Sequence, residues 1–338
     1  MEIRSLEEFE LFEVRGVGTV GTVYRARDRE TDQIVAIKIL LPSVSVDPTV
    51  RARFIREMLV LQKLCHPNIV ACYGGGEEAD QLFFAMEYLD GESMEEVLAD
   101  GGRLPWVDVV ECGWHICSAL QYAHNQGIIH RDLKPSNIFF SGEGFLKLCD
   151  FGIALDTGES DLTEVGLTVG THRYMAPELI RGEVASPPTD LYALGCVLYR
   201  MLVGRPPFDG RNFAAIFEQH LHQVPESLQS QIGDAPEELD QLVQQLLAKE
   251  CGERPLNARV VQGQLAEIYL AYRERYPLAS SWDPQRSAGA APNELFSRLR
   301  TRVVLPADEV SPQRVSGRGL LWIGALLAGL ALLSWVVA

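Results

Sequence analysis

The sequence has little positive charge for its length. Lysine and arginine number 30 in 338 residues, against 46 aspartates and glutamates, so the formal net charge is -16 at pH 7. Binding to nucleic-acid phosphates requires a basic surface. We therefore expect no nucleic-acid partner, and we interpret the acidity as that of an ordinary solvated surface.

Cysteine and N-terminal apolar segments are also scarce. The seven cysteines include no CxxC pair and are odd in number, a pattern that suits neither a disulfide framework nor a zinc ribbon and that favours a reducing compartment. The first residues, "MEIRSLEEFE", contain no apolar run, so we expect no secretory signal peptide. Hydrophobic residues make up 47% of the chain, which is enough for a substantial core.

The local sequence patterns divide the chain into a part with strand patterns and a part with helical patterns. Apolar and polar residues alternate around glycines in "VGTVGTVYRARD" and "IVAIKIL", and "QLFFAMEYL" follows the same pattern, which predicts strands. From Leu104 onward long helical patterns dominate, interrupted by short strands at "NIFF" and "LKLC". We therefore predict an α+β fold, with a small antiparallel-sheet N-terminal lobe and a larger helical C-terminal lobe.

The last twenty residues, 319–338, carry no charge. A helix of this length is ~30 Å long and matches the hydrocarbon thickness of a bilayer. Trp322 and Trp335 lie near its two ends, and Arg314 and Arg318 lie just before it, which favours a single membrane-spanning helix with the N-terminal side in the cytoplasm. Small residues four apart within it allow, but do not require, close pairing of two such helices and hence a homodimer.

A glycine-rich stretch opens the first predicted hairpin. "GVGTVGTV", residues 16–23, fits G-x-G-x-x-G-x-V. A strand follows it instead of the helix that a dinucleotide-binding fingerprint requires. Glycines without Cβ let a hairpin lie close over phosphates, and Lys38 in "VAIK" on the neighbouring strand can neutralise them. Glu57 is the candidate carboxylate for Lys38, or else a solvated residue on a helix face.

A second stretch, "HRDLKPSN" at residues 130–137, is more specific. Asp132 lies on a predicted loop, where its carboxylate can accept a proton from a substrate hydroxyl. The amide oxygen of Asn137 and the carboxylate of Asp150, in "DFG", are oxygen ligands that suit Mg²⁺. One predicted hairpin separates the two, so we expect Asp132, Asn137 and Asp150 to converge.

These motifs, with "APE" at residues 176–178, occur in the order found in protein kinases. Residues 9–272 resemble a bacterial eukaryotic-type Ser/Thr protein kinase, with an N-lobe of about 9–88 and a C-lobe of about 89–272. Residues 273–318 are predicted to be a partly disordered juxtamembrane linker. The resemblance implies transfer of the ATP γ-phosphoryl group to protein Ser or Thr hydroxyls, with Mg²⁺ or Mn²⁺ as the metal.

The resemblance also implies a role for individual residues. Asp132 would be the catalytic base, Lys134 would bridge to the transferring phosphate, and Asn137 and Asp150 would hold the metal. Lys38 would pair with the phosphates and with Glu57. The remaining ATP-binding positions would be Gly16, Val17, Gly18, Gly21, Val23, Ala36 and, in the inter-lobe hinge, Glu87 and Leu89. Structural roles fall to Asp190, which would brace the catalytic loop, and to Glu178, which would pair with Arg254.

The segment between Asp150 and Glu178 resembles an activation segment. Thr171 matches the threonine that Ser/Thr kinases place beside the catalytic aspartate, and Lys134 is a residue that tyrosine kinases usually lack. Arg131, directly before Asp132, implies control by a phosphate that docks on its side chain. By family position Thr163 and Thr168 are the favoured phosphate acceptors.

Two other functions fit parts of the same pattern. A pseudokinase would share the fold, but it typically lacks one of the five residues Lys38, Glu57, Asp132, Asn137 and Asp150, all of which are present. A small-molecule phosphotransferase of related fold usually lacks the activation segment and "APE". A labelled-ATP assay beside Asp132→Asn separates these readings.

Overall fold

A computed structural model describes most of the first 272 residues. The described residues are 4–18, 21–42, 58, 61–79, 81–99, 102–142, 144–151 and 171–272, together with 295 and 299. The chain divides into two units, Met1–Val304 and Leu305–Ala338, and every described residue lies in the first.

The N-terminal lobe is built on a five-stranded antiparallel sheet. Its strands are β1 (Phe9–Val17), β2 (Gly21–Asp28), β3 (Ile34–Leu40), β4 (Cys72–Glu78) and β5 (Gln81–Glu87). Their order in the sheet is β1-β2-β3-β5-β4. β3 is therefore central, with β2 and β5 as its neighbours, and Lys38 pairs with Val23 on one side and Phe84 on the other.

The sheet buries apolar side chains on both faces, as alternation along a strand requires. Ile37 and Phe83 belong to one buried cluster, and Leu40 and Phe84 belong to another. Lys38 lies between Ile37 and Ile39 in sequence and is only partly buried. Strand β3 therefore carries the charged side chain of Lys38 beside buried apolar residues.

The C-terminal lobe is mainly helical. Its helices are α1 (Met94–Val97), α2 (Trp106–Asn125), α3 (Pro177–Ile180), α4 (Pro187–Val203), α5 (Phe213–His222), α6 (Leu228–Ile232), α7 (Glu237–Leu246) and α8 (Ala258–Tyr272). α2 packs against both α4 and α8. A two-stranded sheet, β6 (Ile138–Phe140) and β7 (Leu146–Leu148), follows α2 in the chain.

α4 is the central helix of this lobe. All residues from Thr189 to Leu202 are buried. The helix begins after Ser186, whose backbone N–H donates to Oγ1 of Thr189 at 3.0 Å, and two prolines occupy its first turn. It ends at Gly204, which adopts φ 87° and so takes the left-handed conformation that suits glycine at a helix end. These signals fix the position of Asp190 in the first turn.

The fold confirms the predicted two-lobed α+β architecture. The strands predicted at "NIFF" and "LKLC" contain β6 and β7, and the long helical pattern after Leu104 begins with α2. The predicted membrane-spanning helix lies outside the described residues. Among the residues that the structure does describe, no helix is both long and apolar enough to cross a bilayer.

Candidate active site

The side chain of Lys38 reaches a carboxylate that follows β7. Its Nζ atom lies 2.7 Å from Oδ1 of Asp150, and the two side chains are 16% and 34% exposed. Burial alone would lower the pKa of Lys38, but the charge and hydrogen bond of Asp150 outweigh it and raise the pKa above its usual value. Burial would likewise raise the pKa of Asp150, and the charge and hydrogen bond of Lys38 lower it instead. Both groups are therefore charged at neutral pH.

The loop between α2 and β6 carries a second pair of opposite charges. Nζ of Lys134 lies 2.8 Å from Oδ2 of Asp132. Nδ2 of Asn137 donates to the backbone oxygen of Asp132 at 2.7 Å and to its Oδ2 at 3.1 Å. Because the amide nitrogen of Asn137 faces Asp132, its amide oxygen is turned away from that residue. The loop thus fixes the direction of both side chains.

The pairing of β6 with β7 brings these two groups of residues together. Ile138 is opposite Leu148 in the sheet, and the backbone N–H of Cys149 donates to the backbone oxygen of Asn137 at 3.0 Å. The charge of Asp132 acts on Lys38, and the charge of Lys134 acts on Asp150. Asp132, Asn137 and Asp150 therefore share one site, with two cations beside them.

An aromatic contact supports this arrangement from within the C-lobe. The rings of His130 and Phe151 lie 4.5 Å apart between centroids. His130 is fully buried, and burial is the main cause of its lowered pKa. The contact ties the residues that flank Asp132 and Asp150 to one another, so the two acidic side chains are positioned by packing as well as by strand pairing.

The glycine-rich hairpin is formed by β1 and β2. Gly16 pairs with Val23, and the backbone N–H of Gly18 donates to the oxygen of Gly21 at 2.9 Å. A Cβ on Gly21 would lie 2.3 Å from the backbone oxygen of Ile39, so β3 excludes any side chain there. A Cβ on Gly16 would meet no atom of the described residues within 4 Å. The protein itself therefore requires glycine at position 21, and Gly16 keeps open space beside the strand.

The remaining predicted ATP-binding positions lie on four strands and the segment after β5. Val17 is an exposed residue of β1, Val23 is half-buried on β2, and Ala36 is buried on β3 opposite Met86. Glu87 ends β5, and Leu89 follows it in the segment between the lobes. These positions all belong to the N-lobe sheet or to the segment that directly follows it.

The side chain of Glu87 has partners within the protein. Its Oε2 accepts from Nζ of Lys147 at 2.8 Å and from the backbone N–H of Ala71 at 3.1 Å. Sequence reasoning did not find Lys147. Its place in "LKLC", on the face of β7 opposite two buried leucines, was the available signal. The pair joins the last residue of the N-lobe sheet to β7 of the C-lobe.

Asp190 braces the backbone of the loop before Asp132. Its Oδ2 accepts from the N–H of His130 at 2.8 Å, and its Oδ1 accepts from the N–H of Arg131 at 2.9 Å. Nε2 of His124 also lies 2.7 Å from Oδ2. Arg131 adopts φ 66°, a strained conformation for a residue with a side chain. The contacts of Asp190 hold that conformation, and His124 is a partner that the sequence did not reveal.

Glu178 and Arg254 form a buried ion pair. Nη1 and Nη2 of Arg254 lie 2.8 Å from Oε1 and Oε2 of Glu178, and both side chains are inaccessible to solvent. Thr189 also donates to Oε1 of Glu178 at 2.9 Å. Burial would raise the pKa of Glu178, but Arg254 lowers it. The pair joins α3 to the segment that precedes α8.

Four predicted residues receive no side-chain description. Glu57, Thr163 and Thr168 lie outside the described residues. Thr171 begins a short 3-10 turn, Thr171–Tyr174, and its side chain is not described. The expected pair of Lys38 with Glu57 therefore stays a prediction, and the described carboxylate beside Lys38 is that of Asp150.

The donor set is suited to a hard divalent cation. Asp150 supplies a partly exposed carboxylate, and Asn137 supplies an amide oxygen whose nitrogen is already engaged with Asp132. Carboxylate and amide oxygens are the protein ligands that Mg²⁺ and Mn²⁺ prefer. The open space beside Gly16 and the cation of Lys38 suit phosphate groups in the same region.

Comparison with known proteins identifies the family. Residues 9–265 match the model of the protein kinase domain. The chain is 36% identical over 270 residues to the serine/threonine-protein kinase PknB of Mycolicibacterium smegmatis, which covers 78% of this chain and 43% of that protein. It is 34% identical over 317 residues to a probable PknB of Bifidobacterium longum, covering 90% of this chain and 45% of the relative.

The fold is shared with solved kinase structures. The PknI kinase domain of Mycobacterium tuberculosis superposes with a TM-score of 0.64 at 28% identity, covering 78% of this chain and 98% of that domain. The chain thus belongs to the protein kinase family, and it resembles bacterial Ser/Thr kinases in particular. It spans less than half the length of these curated relatives. Membership of the family implies ATP and a divalent metal.

Proposed function

We propose that this chain is a Ser/Thr protein kinase that transfers the γ-phosphoryl group of ATP to protein hydroxyls. The observation that carries the proposal is the shared site of Asp132 and Asp150 with Lys134 and Lys38. Catalysis of phosphoryl transfer mainly requires that the reacting groups are positioned and that their charge is stabilised. Two carboxylates and two ammonium groups, held by strand β3, by the loop before β6 and by the segment after β7, supply both.

The N-lobe residues are assigned to the nucleotide. Gly16, Gly18 and Gly21 carry no side chain, which lets the backbone of the β1–β2 hairpin lie close over the phosphates. Lys38 neutralises phosphate charge, and its contact with Asp150 keeps it directed towards the site. Ala36 and Val23 offer apolar surface for the adenine ring, and the backbone groups of Glu87 and Leu89 are its proposed hydrogen-bonding partners.

The C-lobe residues are assigned to the metal and the acceptor. Asn137 and Asp150 are the proposed ligands of Mg²⁺, which when bound neutralises charge on the phosphates. Asp132 accepts the proton of the attacking Ser or Thr hydroxyl. Lys134 and Asn137 donate to the carboxylate of Asp132 and so orient it. Lys134 is also placed to stabilise charge on the phosphoryl group that is transferred.

Transfer of label from ATP to protein tests this function. The full chain is incubated with γ-labelled ATP, Mg²⁺ and a generic protein substrate, beside Asp132→Asn and the exposed control Asp234→Asn. We expect label on serine or threonine in the wild type and the control, and a loss of roughly 100-fold or more in Asp132→Asn. Equal incorporation in all three proteins would contradict the proposal and favour a pseudokinase.

Regulation by phosphorylation is part of the proposal. The resemblance favours Thr163 and Thr168 as acceptors, and a phosphate there would dock on the guanidinium of Arg131. We expect the purified protein to lose mass in steps of one phosphate on phosphatase treatment, at residues of the segment between Asp150 and Glu178. An unchanged intact mass in protein of proven activity would contradict autophosphorylation.

Membrane attachment through residues 319–338 is also proposed, with residues 9–272 in the cytoplasm where ATP is present. The support is the length and apolar character of that segment and the arginines before it. Deletion of residues 319–338 is expected to move the protein from the membrane fraction to the supernatant. Continued sedimentation with membranes would show that another part of the chain is the anchor. Pairing of two such helices as a homodimer is a further proposal, which cross-linking in detergent tests.

A further inference from the structure

Two described residues lie well beyond the last helix of the C-lobe. Leu295 and Leu299 are both helical, although α8 ends at Tyr272. Their exposed fractions are only 5% and 0%, and both belong to the hydrophobic core cluster of the C-lobe. Side chains four residues apart lie on one face of a helix. These two side chains therefore belong to the core that α2, α4 and α8 also form.

The surrounding sequence has the pattern of a docked amphipathic helix. In "PNELFSRLR", residues 292–300, the polar residues Glu294, Ser297, Arg298 and Arg300 separate the apolar ones. Asn293 precedes this run directly, and asparagine is a favoured helix N-cap. Two leucines four residues apart among charged residues form the pattern that a short helix against an apolar surface requires.

We infer that the chain beyond α8 is fastened to the C-lobe core through Leu295 and Leu299, and the sequence around them, residues 294–300, is here called the docking segment. The occupant of this part of the C-lobe surface is the chain's own C-terminal extension. The predicted linker of residues 273–318 therefore has a point of attachment to the C-lobe core at Leu295 and Leu299. The inference concerns packing and does not depend on the proposed phosphoryl transfer.

The docking segment limits how far the catalytic lobe can move from an anchor. Twenty residue steps lead from Leu299 to Gly319. A fully extended chain of that length reaches at most ~70 Å, whereas a free linker from Tyr272 would reach more than twice as far. This limit on distance rests on the proposed membrane attachment. The packing of Leu295 and Leu299 on the C-lobe does not.

Hydrogen exchange on the full chain in detergent micelles tests the docking directly. Amides of the docking segment are expected to exchange at least ~100-fold more slowly than those of an unstructured peptide, since core helices open only rarely. Exchange at the unstructured rate would overturn the inference. Hydrogen exchange does not depend on kinase activity, so failure of the proposed function would not change this result.

Substitution of the two leucines provides an independent readout. The double variant Leu295→Asp/Leu299→Asp is expected to lower the unfolding temperature of the C-lobe by roughly 10 °C, because two charges would enter an apolar site. The control Leu256→Asp changes a leucine that is 83% exposed and should leave the temperature unchanged. If the double variant fails to fold, the milder Leu299→Ala is compared with Leu256→Ala. Equal unfolding temperatures for the leucine variants and their controls would overturn the inference.

Discussion

Nζ of Lys38 lies 2.7 Å from Oδ1 of Asp150, although 112 residues separate them in the chain. The pair joins the central strand of the N-lobe sheet to the second residue after β7 of the C-lobe. The pKa of Lys38 is raised and that of Asp150 is lowered by the contact. Each group therefore stays charged beside the other, which is the state that binding of phosphate and metal requires.

Removal of the ammonium group of Lys38 is expected to impair phosphoryl transfer more than folding. In Lys38→Met the phosphates lose a charged partner and Asp150 loses the group that orients it. We expect a fall in transfer rate on the order of 100-fold or more, measured with γ-labelled ATP. Lys63→Met removes an exposed lysine as the control. A Lys38→Met protein with the activity of that control would show that Lys38 has no part in the reaction.

The buried pair of Glu178 and Arg254 is expected to be important for stability. Arg254→Met leaves a buried carboxylate without its partner, at a cost of about 3–5 kcal/mol in the free energy of unfolding. The exposed pair of Arg181 and Glu250, with 3.1 Å between Nη2 and Oε1, provides the matched comparison. Arg181→Met should cost under ~1 kcal/mol.

Urea unfolding of both variants measures this difference. The double variant Arg254→Met/Glu178→Gln should recover part of the loss, since the unpaired charge is then gone. Equal destabilisation by Arg254→Met and Arg181→Met would contradict the assignment of Arg254 to a structural pair.

A buried histidine is expected to make the C-lobe sensitive to acid. Nδ1 of His220 lies 2.8 Å from the hydroxyl of Tyr192, and burial, aided by the charge of Lys249, lowers the pKa of His220 to about 3. Near pH 7 the histidine is neutral in both states. Below the unfolded pKa, near 6.5, the unfolded chain binds the proton first, so stability falls as the pH falls towards 3.

Comparison of two histidine variants measures this effect. Between pH 7 and pH 5 His220 should account for a loss on the order of 2 kcal/mol in the free energy of unfolding. In His220→Gln the free energy of unfolding should therefore fall by about 2 kcal/mol less than in the wild type between pH 7 and pH 5. This difference does not depend on the stability of the variant at pH 7. His222→Gln, at an exposed position two residues on, should keep the wild-type pH dependence. If His220→Gln keeps it too, another group causes the acid sensitivity.

Much of the fold could be predicted from the sequence because its signals are local. The alternation in "IVAIKIL" predicts β3, and the turn residues between "NIFF" and "LKLC" predict the β6–β7 hairpin. β4 was not predicted, because its sequence "CYGGGEE" contains three glycines and few apolar residues. It is a strand because β5 pairs with it along most of its length, which is a tertiary effect.

The same distinction applies to the site. Motif order predicts which residues matter, because each motif lies within a few residues of sequence. Partners that come from distant elements were missed: His124 beside Asp190, Lys147 beside Glu87, and the docking of Leu295 and Leu299. The local sequence of α2 or β7 does not show which carboxylate His124 or Lys147 will contact.

The most direct test of the proposed catalysis separates binding from transfer in Asp132→Asn. The affinity for Mg-ATP and the rate of phosphoryl transfer are measured on the same protein preparation. If Asp132 is the base, the dissociation constant stays within about 2-fold of the wild type while transfer falls roughly 100-fold or more. Transfer at the wild-type rate, with binding intact, would contradict the account.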